Sequence, residues 1–316
     1  MKIGQMPALS DSTRGMVYGL IAMLAFSQTL TATRIAVQHL DPVLIGLGRV
    51  LLAALPAALL LLWDGRPRPT REQLFSLTLV CFGVTLVFPL LSAWGMGRLP
   101  ASHGAVLIAL LPLSTAVAAR FRTRERPSVE FWITALAGTS LVIGFALTQG
   151  AGSLQAGDVA LLVAVMAGGL GYAEGGALAR QMGGWRVICW ALVLSAPFAF
   201  GAVAVFAEFP VAETPLSVWA AFAYVAMVSQ FLGFFLWYQA LAIGGVARVS
   251  QLQLLMPFFT LLGAWVLLGE VEALSLRYLL FAGMVVLLVA LNRRAPIANA
   301  VNEDERSGSP LPETEK

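Results

Sequence analysis

Residues 112–138 read PLSTAVAARFRTRERPSVEFWITALAG, and residues 257–283 read PFFTLLGAWVLLGEVEALSLRYLLFAG. Shifted by 145 positions, Pro112, Glu125 and Gly138 fall on Pro257, Glu270 and Gly283, spaced 13 and 13 in both copies without a gap. Ala137-Gly138 also falls on Ala282-Gly283. Identity between the stretches is otherwise low, so the equal spacing of three uncommon residues carries the argument for an internal repeat.

The surroundings of both stretches are apolar. Of the 316 residues, 59% are hydrophobic and 12% charged, against about 25% charged in soluble domains. A spanning helix needs about 20 apolar residues. Ten such runs are present, at 15–37, 42–63, 73–95, 100–120, 130–148, 157–179, 187–207, 217–240, 246–268 and 273–292. Turn residues and charges divide them, as in Asp64-Gly65-Arg66-Pro67-Arg68-Pro69 and Gln149-Gly150-Ala151-Gly152-Ser153. These features predict an all-α integral membrane protein with ten transmembrane helices. Residues 1–14 form a cytoplasmic N-terminal segment, 15–148 a first five-helix repeat, 157–293 a second, and 294–316 a disordered cytoplasmic tail. The run from Met16 to Val37 lacks an evident cleavage site and reads as the first spanning helix.

Arginine placement orients the helices. With both termini inside, fourteen Lys/Arg residues lie on or near the cytoplasmic face, while Arg34, Arg98 and Arg277 lie near the opposite one. Five spans is an odd number, so the second repeat must enter the bilayer upside down. Inverted repeats of this kind underlie many secondary transporters, in which two halves rock around a midplane site.

Several function classes fall away. The two lysines are Lys2 and Lys316, so the internal lysine that a phosphate-binding loop requires is missing. His39 and His103 lie far apart, and Cys81 and Cys189 sit in apolar runs as small buried hydrophobes. No cofactor, metal or nucleic-acid partner is expected. The expected partners are the lipid bilayer and a small-molecule substrate, with the protein a monomer or homodimer in the bacterial inner membrane.

The twice-repeated order of an in-span proline, a helix ending near Gly-Glu and a following glycine resembles the drug/metabolite transporter superfamily. The likeness is to its ten-helix branch with paired EamA-type repeats. Leu268-Gly269-Glu270 resembles the repeat's Leu-Gly-Glu signature, and Tyr238-Gln239-Ala240-Leu241 its approach to that helix. The first copy departs from this, because Arg122-Thr123-Arg124 precedes Glu125. The resemblance covers about residues 15 to 293. It implies a basket of spans 1, 3, 4, 6, 8 and 9 around a central cavity, with spans 5 and 10 outside.

Polar groups inside spans are costly and so mark candidate sites. Glu174 is the acidic residue deepest in a span, within the glycine-dense segment Gly168-Gly169-Leu170-Gly171-Tyr172-Ala173-Glu174-Gly175-Gly176. It reads either as a coupling carboxylate or as an ion-pair partner of Arg180, six residues on. Arg49, seven residues inside the second span, reads mainly as a structural anchor or a snorkelling charge. Arg34 reads as an interfacial anchor or a contact for a substrate carboxylate, and His103 as a group at the outer mouth of span 4. Tyr224, Phe231, Phe235 and Tyr238 recur at 7, 4 and 3 as one stripe that would suit an apolar solute. Trp94 and Tyr172 join them as candidate substrate contacts, as do Gln28, Gln230, Gln251 and Gln253. Pro112 and Pro257 should bend their helices at equivalent depths.

The leading expectation is a secondary transporter that exports small amphipathic metabolites such as amino acids. Export of lipophilic cations is the alternative. A membrane-embedded enzyme or receptor is disfavoured, because no paired catalytic groups and no soluble domain are visible.

Overall fold

The computed structural model describes residues 10–99, 107–123, 125–147, 155–209, 213–256, 258–260, 276–295 and 297–299. Its helices are numbered here in chain order. They are α1 Asp11–Ala36, α2 Pro42–Trp63 and α3 Arg71–Met96, then α4 Leu111–Arg122 and α5 Val129–Leu147. The second half contributes α6 Ala156–Met182, α7 Gly184–Phe206, α8 Leu216–Gly244, α9 Val246–Ser250 and α10 Leu276–Arg294. Six of these, α1, α2, α3, α6, α7 and α8, are long and apolar enough to cross a membrane; α5 and α10 contain shorter apolar stretches. Pro257 and Glu270 lie outside the described residues, as does His103.

Local sequence sets the helix starts. Asp41 caps α2 by accepting from the Val43 and Leu44 amides at 2.8 and 3.3 Å, with Pro42 in the first turn where its missing N–H costs nothing. Thr70 and Gln73 close a reciprocal capping box on α3, and Gln155 and Asp158 close one on α6. Gly183 and Gly245, at φ 89° and 87°, turn the chain tightly into α7 and α9.

Two of the long helices contain wide π turns. In α3, Cys81–Val87 winds as a π-helix, and the Phe88 N–H reaches back five residues to Gly83 O. In α8, Tyr224–Leu232 does the same, with Gly233 N–H donating to Val228 O. Pro112 sits in the first turn of α4, after helical residues 107–108, so the helical path is interrupted just before this proline. Before it, residues 109–110 form a turn. After α9 the chain tightens into a 3₁₀ segment, Gln251–Leu255.

Packing makes α6 the central helix. It lies against α3, α4, α7 and α8, while α1 packs on α8, α2 on α7, α4 on α9 and α5 on α10. In lipid, helices associate through close contact and not through expulsion of water, which favours small residues at their crossings. The glycine-dense segment of α6 supplies them. A Cβ on Gly83 would collide with Ala167 O and lie 3.1 Å from Gly171 Cα, so α3 and α6 touch backbone to backbone. Gly175 leaves the notch that the Tyr238 ring fills. Asn292 of α10 donates to Phe131 O and Thr134 Oγ1 of α5 at 3.1 and 2.8 Å, fastening the outer pair.

One element lies outside the all-α expectation. Glu125–Pro127 pairs antiparallel with Ile297–Asn299, Glu125 opposite Asn299. Residues 297–299 are therefore ordered by a strand partner, although the composition of the tail alone reads as disordered.

Candidate functional site

A small cavity opens in the middle of the bundle. Its polar lining residues are Thr29, Arg49, Ser92, Tyr172, Ser229, Gln230 and Gln253, and its apolar ones include Phe26, Phe88, Phe234 and Met256. α1, α2, α3, α4, α6 and α8 contribute, together with the segment that follows α9. The free volume of ≈30 Å³ has room for about two waters.

The two π-helical segments border this cavity, and the proline after the first explains one of its contacts. The i+5 pattern assigns the Val84 carbonyl to residue 89, which is proline and has no N–H. Gln230 Nε2, from the π segment of α8, donates to Val84 O instead, at 3.4 Å. Thr29 and Ser229 hydroxyls meet at 2.8 Å across α1 and α8. Wide turns of this type are frequent at functional sites.

Arg49 is 3% exposed and lines the cavity. Its guanidinium is thus buried among the helices instead of snorkelling outward. No hydrogen bond reaches its Nε among the described residues, and no described carboxylate lies within ion-pair distance. Gln253 Nε2 is likewise buried without a partner.

The remaining candidates are distributed differently from the sequence reading. Tyr172 lines the cavity. Glu174 does not; it pairs with Arg122, whose Nε and Nη2 donate to the two carboxylate oxygens at 2.7 and 3.1 Å. Arg180 instead reaches Glu125 Oε1 at 2.8 Å. The reason is angular, since six residues carry a side chain about 240° around a helix at 3.6 residues per turn. Glu174 and Arg180 therefore face different neighbours. Glu125 also accepts from the Val246 and Ala247 amides at 3.0 and 2.9 Å. It thereby caps the positive end of α9, and this is the work of the first-copy motif glutamate.

The aromatic stripe of α8 is dispersed by the π segment, because a wide turn advances less than 100° per residue and shifts the register of everything beyond it. Phe234, Ser229 and Gln230 face the cavity. Tyr224 donates to Ala25 O at 2.7 Å, Phe231 packs on Phe235 at 4.8 Å, and Tyr238 is buried with its hydroxyl 3.3 Å from Gly171 O. Trp94 lies in a groove between α2, α3, α6 and α7, with Arg98 stacked 3.7 Å over its ring. Gln28, where α1 is interrupted, donates to Phe259 O at 3.1 Å. Gln251 is buried and is not among the cavity's lining residues, with neither side-chain polar atom bonded among the described residues. Gly138 packs against Leu254, while Gly283 has open space around it.

One end of the bundle gathers the arginine-bearing turns. Arg186 lies 2.7 Å from Asp64 and donates to Pro67 O at 2.8 Å, and Arg248 donates to Ala295 O at 3.1 Å. The pairs Glu125–Arg180 and Glu174–Arg122 close the same end.

Apolar helices wrapped around a buried cavity of mixed polar and aromatic lining, with ion pairs gathered at one end, define a multi-pass membrane carrier. The chain belongs to the EamA-like transporter family, whose pattern matches it twice, over residues 13–147 and 155–294. It is therefore built of two EamA repeats within the drug/metabolite transporter superfamily. It is 43% identical over 286 residues to the uncharacterized transporter YdeK of Bacillus subtilis (strain 168), covering 90% of this chain and 99% of that one. It is 27% identical over 261 residues to a probable terminal-alkyne amino-acid exporter of Streptantibioticus cattleyicolor, covering 80% and 84%. A crystal structure of a protein at 17% identity superposes with a TM-score of 0.71 over 90% of this chain and 99% of the other, a likeness of fold.

Proposed function

We propose that this transporter is a secondary carrier that exports small amphipathic metabolites, such as amino acids, across the bacterial cytoplasmic membrane. The observation that carries the reading is the mixed lining of the cavity, where hydroxyl, amide and guanidinium groups occur together with Phe26, Phe88 and Phe234. The Streptantibioticus relative, named as a probable amino-acid exporter, points the same way. Lipophilic cations are the poorer fit, because Arg49 places a positive charge on the wall and no carboxylate lines it among the described residues.

The mechanism we propose is alternating access by two five-helix repeats of opposite orientation, in ten spans with both termini cytoplasmic. Three features support this. Exchanging each helix with its counterpart five places on converts the α1–α8 contact into α6–α3 and returns α2–α7, α4–α9 and α5–α10 to themselves. The π segments end at Val87 and Leu232, again 145 residues apart. The arginine-bearing turns share one end, as the positive-inside rule asks of a cytoplasmic face. Glu174 is proposed as the coupling residue. Its pair with Arg122 ties α6 to α4 and would have to open when the repeats move.

Cells fed a leucine dipeptide and expressing the protein should release leucine faster than cells without it; equal release contradicts export. Single cysteines placed at Arg68 and Glu213 should react with impermeant reagents from inside and outside respectively. Reaction of both from one face contradicts the inverted arrangement.

A further inference from the structure

We propose that Arg49 is the carboxylate-binding group of the cavity, so that the carrier selects solutes bearing a carboxylate. This rests on the cavity being the transport site. An arginine charge inside a membrane protein is expensive unless it is paired, and such residues are held against an acidic side chain, carbonyls or water. The described acidic residues near the bundle are committed elsewhere. Glu125 and Glu174 hold Arg180 and Arg122, Asp64 lies on Arg186, and Asp41 caps α2. Arg49 is left 3% exposed, facing a cavity too small to hydrate it fully, with Nε unbonded among the described residues.

A planar guanidinium with free N–H groups matches a carboxylate in charge and geometry. Gln253 Nε2, also unbonded in this lining, is a second donor for the same anion. The aromatic residues of the lining would receive an uncharged side chain. A carboxylate entering the cavity therefore supplies the counter-charge that the protein leaves out. Closure around the loaded site is favoured over closure around the empty one. An amine without a carboxylate gains nothing there and meets a like charge.

The test uses the purified full-length protein and three solutes of one shape: L-leucine, 4-methylpentanoate, which lacks the amine, and leucinamide, which lacks the carboxylate. Thermal melting of the wild type should rise with leucine and 4-methylpentanoate and stay unchanged with leucinamide. Stabilisation by leucinamide equal to that by leucine overturns the proposal. Arg49→Gln should weaken the response to both carboxylates about tenfold or more, whereas Arg49→Lys, keeping charge without the fork, should retain the carboxylate preference at lower affinity. If Arg49→Gln cannot be recovered folded, the wild-type ranking decides alone. Leucine flux in proteoliposomes separates this proposal from the export reading. Stabilisation by carboxylates with no leucine flux removes the transport role and leaves the binding site. Leucine flux undiminished in Arg49→Gln removes the site and leaves the transporter.

Discussion

The charges at the arginine-rich end of the bundle and the charge at its centre are treated in opposite ways. At the end, Glu125 holds Arg180 and two backbone amides, and Glu174 takes a two-pronged bond from Arg122. At the centre, Arg49 is buried where Arg122 and Arg180 are exposed, yet it has no acidic partner among the described residues. Charges that hold the fold together are neutralised within the protein. A charge left open in the middle is neutralised by what the cavity receives.

The largest stability loss should come at the paired end. Glu125→Ala strands the Val246 and Ala247 amides and frees Arg180, and should destabilise the protein by about 2–4 kcal/mol, read as a lowered melting temperature in detergent. A melting temperature matching the wild type would mean that Glu125 does not cap α9. Gly83→Ala comes next. Its methyl group would push α3 off α6 at Ala167 and cost about 1–3 kcal/mol as overpacking. The accompanying readout is faster cysteine labelling at Ser229, because the packing around the cavity would loosen.

Glu174→Gln should cost less, about 1–2 kcal/mol, since Arg122 is partly exposed and can rehydrate. Exchanging the pair, with Glu174→Arg and Arg122→Glu together, should recover stability. If Glu174 couples transport, Glu174→Gln also loses the dependence of flux on an imposed pH gradient. Retained gradient dependence leaves Glu174 as a latch and nothing more. The smallest effect belongs to Trp94→Phe, outside the cavity, where leucine flux should stay within about twofold of wild type. A larger loss would place the solute path in the groove by α7 instead.

Hydropathy and turn chemistry were enough to read the bundle, because apolar runs in lipid have few other options. The 145-residue spacing made the two repeats legible, although the second copy's Pro257 and Glu270 lie outside the described residues. The site was less legible, for three physical reasons. Arg49 was visible as a charge within a span, but a helix's rotation about its axis is set by its neighbours and is not written in its own residues. The stripe from Tyr224 to Tyr238 assumed 100° per residue, and the π segment at Tyr224–Leu232 breaks that assumption. Pro89 was the available clue to the corresponding wide turn in α3, since it follows Cys81–Val87 and removes an N–H that the helix would use. Glu174 was assigned a partner near in sequence, whereas its partner Arg122 comes from another helix, 52 positions away.

The central claim is that the positive charge at position 49 draws a carboxylate into the cavity. It can be tested by removing that charge and restoring it chemically. In a background with Cys81 and Cys189 replaced by alanine, Arg49→Cys should abolish leucine flux in proteoliposomes. Reaction of the new thiol with an aminoethyl methanethiosulfonate, which reinstates a positive charge, should restore flux, and an uncharged alkyl reagent of similar size should not. Full leucine flux in Arg49→Cys before modification, or equal restoration by the uncharged reagent, would contradict the account.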